Sequence, residues 1–224
     1  MDNAKLFTCS ARFHERDFEF LAAIVASRGD QDAFRRFVAD PDELLAVLDD
    51  RRVLEAILES PSLLGVSPAF YFYVLVRHSL VSRGIENVEL AEFLGSVLAD
   101  RIPSSKLNAG LGPGAGFVHS FDFLTMLDQV SGEMRFELLI TAGNEFLVLT
   151  GLFPEYIQQR ARRKGGPGIG YYEEFARMSY QQAGEHPRAR ERGVSGVLEN
   201  LSQVLPEARL SLNRIADSLV FLSN

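Results

Sequence analysis

Residues 67–81 read SPAFYFYVLVRHSLV, and whether they form a helix or a strand decides the fold class. Aromatic and β-branched residues favour strands, and an unbroken apolar run also suits a strand buried on both faces. Two features favour the helix. The Ser67 hydroxyl can cap a first turn, and Pro68 stands at the first helical position, where its missing N–H is not needed. No second strand-like run lies nearby to pair with it. A helix that is apolar on nearly every side until Arg77 belongs at the centre of a domain.

Helical signals continue on both sides of this segment. Asp17 reads as the cap of a helix reaching about Ser27, with Phe18, Leu21, Ala22 and Val25 on one face. A short helix is expected over 30–38. Asp40-Pro41-Asp42-Glu43 then supplies a cap, a first-turn proline and two acids for a helix, whole or broken, that ends by Leu58 before Ser60-Pro61. Further helices are expected over 86–101, 119–130, 133–149, 154–164, 171–183, 189–205 and 206–222. The fold expected is all-α, a globular bundle of about ten helices joined by Gly- and Pro-rich connectors.

The best connector is PSSKLNAGLGPGAG, residues 103–116, with five Gly or Pro in its last seven positions. It divides an N-terminal helical part, 1–102, from a C-terminal part, 117–224, and the two are expected to pack as one globular unit. The segment GPGAGFVHSF at 112–121 has a near twin in GPGIGYYEEF at 166–175. Outside these two segments the flanking sequences diverge, so duplication explains little. Neither segment closes in the Gly-Lys-Ser/Thr of a P-loop, and GLGPGA at 110–115 follows no strand, as a dinucleotide fingerprint requires. Both are read as hinges that lead into helices.

Composition narrows the chemistry. The 224 residues carry a formal charge of −7, which argues against wholesale wrapping of nucleic acid. Cys9 is the single cysteine. This excludes an intramolecular disulfide framework and thiolate-rich metal sites, and fits a reducing, cytoplasmic setting. The longest uninterrupted apolar run, Ala69 to Val76, is eight residues, far below the roughly 20 that span a bilayer. The four histidines are dispersed, and no metal-binding or nucleophile-elbow motif occurs. No metal and no cofactor are expected.

Two groups of residues remain as site candidates. The first is the basic run Arg160, Arg162, Arg163 and Lys164, which precedes Gly168, Gly170 and Tyr171. A glycine-rich entry to a helix offers free N–H groups and a positive dipole end, and arginines beside it could clamp a phosphate or carboxylate. A plain surface helix with cations at its C-terminus has the same pattern. The second group is polar within apolar surroundings: Arg77 and His78 at the end of the central helix, and Asn144 and Glu145 within ITAGNEFLVLTGLF. Buried charges need partners, and Arg77 and Glu145 are candidates for each other, either as a structural bridge or as part of a pocket with His78 and Tyr171 or Tyr172.

These features point to an all-α binding or regulatory protein with an anion-recognising surface near residues 160–174. The alternative is an enzyme acting on a phosphorylated or carboxylated small molecule, with Glu173 or His78 moving protons. A protein–protein adaptor or homodimer is the third reading.

Overall fold

The computed structural model describes residues 8–25, 37, 39–59, 65–101 and 120–222, with side chains in the last stretch from 123 to 217. Among these residues there are twelve α-helices, one short 3-10 helix and no strand, the all-α bundle that Ser67-Pro68 implies. The connector at 103–116 and most of the helix expected at 30–38 lie outside the described residues. The described chain separates into two compact units, one made of the described residues up to Arg101 together with 218–222, and one running from Ser120 to Asp217.

The first unit contains the 3-10 helix Ser10–Arg12, α1 Glu15–Val25, α2 Pro41–Leu48, α3 Arg51–Glu59, α4 Pro68–Val81 and α5 Val88–Arg101. The Ser67 hydroxyl accepts the Phe70 N–H at 3.1 Å, so α4 starts where its sequence says it should. Every residue from Ala69 to Arg77 is buried, as a helix without a polar face must be, and α5 packs along it. The helix expected to reach Leu58 is broken into α2 and α3. Asp50 causes the break, because its carboxylate takes the Arg52 N–H at 2.8 Å and restarts the helix.

Helix α1 departs from its expected start. It begins at Glu15, and Asp17, read as its cap, sits inside the first turn with no exposed surface. The Asp17 carboxylate still accepts the His14 N–H, at 2.7 Å. It also reaches Ser67, a partner that helical periodicity could not reveal.

The second unit contains α6 Ser120–Gln129, α7 Gly132–Leu152, α8 Pro154–Lys164, α9 Ile169–Glu185, α10 Pro187–Glu191, α11 Ser195–Gln203 and, up to Asp217, α12 Leu205–Leu222. Its centre is the pairing of α7 with α9, and α11 packs on α9. At the α7–α9 crossing a Cβ on Gly143 would stand 2.7 Å from the Tyr180 ring, so only glycine lets the two helices approach this closely. The single helix expected over 189–205 is two helices. Gly193, at φ 68°, ends α10 in a left-handed turn in which the N–H groups of Val194 and Gly193 return to the carbonyls of Ala189 and Arg190.

Candidate functional site

The chain turns by 89° between α7 and α8, at the Phe153-Pro154 step. Helix α8 then lies on the surface, and Ile157 is its one buried residue. Residues 156, 160, 163 and 164 fall on one face at helical spacing. That face carries the exposed ring of Tyr156, the half-buried Arg160, and Arg163 and Lys164, both exposed. Arg162 is exposed beside them. Gly165, at φ 63°, closes α8 by returning its N–H to the Ala161 carbonyl at 3.0 Å.

A four-residue loop, 165–168, leads into α9. A Cβ on Gly166 would lie 3.5 Å from Arg160 Cγ, so the loop runs along the Arg160 stem. Gly168 occupies the cap position of α9, no side chain there accepts a hydrogen bond, and the first turn contains no acid. The positive end of a seventeen-residue helix is therefore presented without a compensating carboxylate. Gly168, Gly170 and Tyr171 are all exposed. Tyr171 meets Tyr172 edge-on at 5.3 Å, Tyr172 stacks on Phe146 at 5.6 Å, and Phe175 meets Phe146 at 4.8 Å. Tyr171 is thus the outer member of an aromatic cluster rooted in the core.

The cations of this unit differ in their partners: Arg135 donates to the Leu127 carbonyl, the exposed Arg190 has no carboxylate within ion-pair distance among the described residues, and four others are paired with acids. Arg192 is bonded to Glu133, at 2.8 Å, and to Glu137, and its guanidinium lies 5.0 Å from the centre of the Phe136 ring. Arg188 pairs with Glu191 and Glu133, Arg177 with Glu174, and Arg209 with Glu173. The Arg177 hydrogen bond holds the Glu174 carboxyl below its ordinary value. Among the described residues no carboxylate lies within ion-pair distance of Arg162, Arg163 or Lys164. Both acids that follow in α9 are already engaged. Glu173, the candidate proton carrier, belongs to Arg209.

The second candidate group is divided between the two units, Arg77 and His78 in the first and Asn144 and Glu145 in the second. Arg77 is satisfied within its own unit. Its Nε and Nη2 donate to the two carboxylate oxygens of Asp49, each at 2.7 Å, and Nη1 donates to the Glu86 carbonyl at 2.6 Å. Asp49 holds the Arg77 guanidinium pKa above its ordinary value. His78 Nε2 donates to the Leu48 carbonyl at 2.9 Å. Together Arg77 and His78 fasten the C-terminal end of α2. Asp49 was legible only as an anomaly, since two acids at a helix C-terminus oppose the macrodipole and call for a cation nearby. In the second unit Asn144 Oδ1 accepts the Tyr180 hydroxyl at 2.8 Å, and Glu145 is buried in α7.

Cys9 immediately precedes the 3-10 helix Ser10–Arg12. It has no exposed surface, and its thiol donates to the Ala69 carbonyl at 3.1 Å. Burial raises its pKa, so the nucleophilic thiolate is suppressed. Among the described residues no group of three or more His, Cys, Asp or Glu side chains is placed to hold a metal ion, and no single helix is long and apolar enough to cross a membrane. No protein-family model matches the sequence, and neither a curated protein nor a solved structure matches it.

Proposed function

We propose that the protein is a cytoplasmic binding protein of regulatory type, whose α8–α9 corner recognises a carboxylate-rich surface on a protein partner. The observation that carries this reading is the clustering of Arg162, Arg163 and Lys164, three successive cations with no carboxylate within ion-pair distance among the described residues, in a unit where Arg177, Arg188, Arg192 and Arg209 are paired with acids and where Arg135 and Arg190, which also lack one, stand apart from each other in the sequence. In a chain of net charge −7 such a cluster is no general excess of base. Beside it stand a helix N-terminus free of acids and exposed tyrosines, the residue type enriched at interfaces. Charges so placed steer an acidic partner and fix its register. The cytoplasmic setting is supported by cysteine usage, a single buried Cys9 and no intramolecular disulfide framework.

An enzyme built on the same cations needs them to converge in a recess beside an acid or base. Here Arg163 and Lys164 are exposed on a helix and Glu173 is bonded to Arg209. The test is a fluorescence titration of the full chain with poly-L-glutamate, with a single-stranded oligonucleotide of equal charge, and with inorganic phosphate. Saturable, salt-sensitive binding of polyglutamate is expected, and replacing Arg163 and Lys164 by Glu should weaken it about tenfold or more. Tighter binding of the oligonucleotide would make the partner a nucleic acid, and a preference for phosphate would favour the enzyme. Absence of binding to all three would overturn the reading.

A further inference from the structure

The cations of the α8–α9 corner have apolar neighbours that face solvent. On α9, Tyr171 is 45% and Met178 47% exposed, and Phe175 between them is half-buried. These three follow one another at i, i+4 and i+7, the spacing of a single helical face. Tyr171 packs on Tyr172, and Phe175 on Phe146 of α7, so the first half of the stripe is held in place before any partner arrives. Rings already fixed lose little freedom on binding. Glu174, the acid between Tyr171 and Met178 on this side, is paired with Arg177. Helices α8 and α9 are in contact, and the loop between them runs along the Arg160 stem. The stripe thus begins seven residues after Lys164, the last of the cations.

Ion pairs between exposed groups contribute little alone, because water and salt compete for both charges. Interfaces draw affinity from aromatic and apolar anchors, while charges set the rate of encounter and the register. Resting on the reading of the α8–α9 corner as an acceptor of carboxylates, we propose that the partner's binding segment is acidic and amphipathic. Its carboxylates meet Arg162, Arg163 and Lys164, and its apolar side chains lie along Tyr171, Phe175 and Met178. Charge complementarity chooses this occupant. A basic segment would be repelled by three successive cations, a wholly apolar one would desolvate them without a partner, and one made of carboxylates alone would leave the stripe in water.

The experiment is a fluorescence-anisotropy titration of the full chain with three end-labelled polymers of equal length: polyglutamate, a glutamate–tyrosine copolymer, and a glutamate–alanine copolymer of the same charge density. The tyrosine copolymer should bind about tenfold more tightly than either of the others and keep more of its affinity at about 500 mM salt. Arg163→Glu/Lys164→Glu should weaken all three. Tyr171→Ser and Met178→Ser should each bring the ratio of tyrosine-copolymer to polyglutamate affinity down toward one. Met134→Ser, on an exposed side chain at the start of α7, should leave that ratio as it is. Met178 and Met134 are both exposed, so neither substitution opens the core. Equal affinity for the three polymers would overturn this inference and leave the carboxylate-binding reading standing. A ratio that Tyr171→Ser and Met178→Ser do not change, or that Met134→Ser lowers as much, would place the apolar contact elsewhere and overturn it too. Self-association of the free chain that Met178→Ser abolishes would make a second copy the occupant, against the inference. Binding of none of the polymers would overturn both readings.

Discussion

Asp17 and Ser67, fifty residues apart, meet through two hydrogen bonds: the Ser67 N–H and hydroxyl donate to the two oxygens of the buried Asp17 carboxylate, each at 2.6 Å. The same carboxylate takes the His14 N–H, and the Ser67 hydroxyl takes the Phe70 N–H. One buried acid therefore fastens the start of α1 to the start of the central helix α4.

This junction fixes the first prediction. Replacing Asp17 by Asn substitutes a donor for one acceptor oxygen and strands at least one of its three donors, two of them buried, which should destabilise the protein by about 2 kcal/mol. Asp17→Ala should lose about 3 kcal/mol, and Ser67→Ala about 1 kcal/mol as a lost cap. Urea unfolding of each variant measures these values. A loss below about 0.5 kcal/mol for Asp17→Ala would show that the junction does not hold α1 to α4.

Arg77 and Asp49 make a second joint, between the end of α2 and the C-terminal half of α4. Arg77→Lys keeps the charge but not the planar fork that serves Asp49 and the Glu86 carbonyl together, so it should lose about 1 to 2 kcal/mol. Asp49→Ala leaves the guanidinium buried without its carboxylate and should lose about 3 kcal/mol. A double-mutant cycle on the pair should show coupling above about 1 kcal/mol. Additive effects would mean that Arg77 and Asp49 act independently.

The α7–α9 crossing makes a steric prediction. A Cβ on Gly143 meets the Tyr180 ring, whereas one on Gly166 finds ordinary contact distance. Gly143→Ala should destabilise by about 2 kcal/mol through overpacking, and Gly166→Ala should stay within about 0.5 kcal/mol of wild type. Equal effects of the two substitutions in thermal melts would contradict the crossing geometry.

Glu92 makes the protein's stability depend on pH. Its carboxylate accepts the Ser10 N–H at 2.7 Å, and burial raises its pKa above the ordinary value of 4.5. The folded state thus holds this proton more tightly than the unfolded state. The group's contribution is fully present below about 4.5 and is lost as pH rises through the raised value. The stability of wild type relative to Glu92→Gln should therefore fall as pH rises from the ordinary value of 4.5 through the raised one, and then level off. A flat difference would show that burial does not perturb this carboxylate.

Local chemistry wrote the elements, and distant pairing decided the rest. Ser67-Pro68, Asp40-Pro41 and Lys164-Gly165 are helix signals complete within a few residues, so α4, α2 and the end of α8 were legible. The division at Gly193 was carried by a single left-handed glycine inside an otherwise helical pattern, and periodicity alone passed over it. Asp17 with Ser67 and Arg77 with Asp49 are separated by 50 and 28 residues, and no local pattern announces such partners. The same holds for the candidate site. The basic run, the glycines and Tyr171 are visible in the sequence, but the contrast between unpaired Arg163 and the paired Arg177 and Arg209 exists only after folding.

Amide chemical shifts of the full chain, followed by NMR as poly-L-glutamate is added, test the central claim most directly. Saturable shifts centred on residues 160–174, strongest at the Gly168 to Tyr171 amides of the α9 N-terminus and suppressed by salt, are predicted. Saturable binding whose shifts fall elsewhere, or no shifts at all at low salt, would contradict the assignment of the α8–α9 corner as the recognition surface.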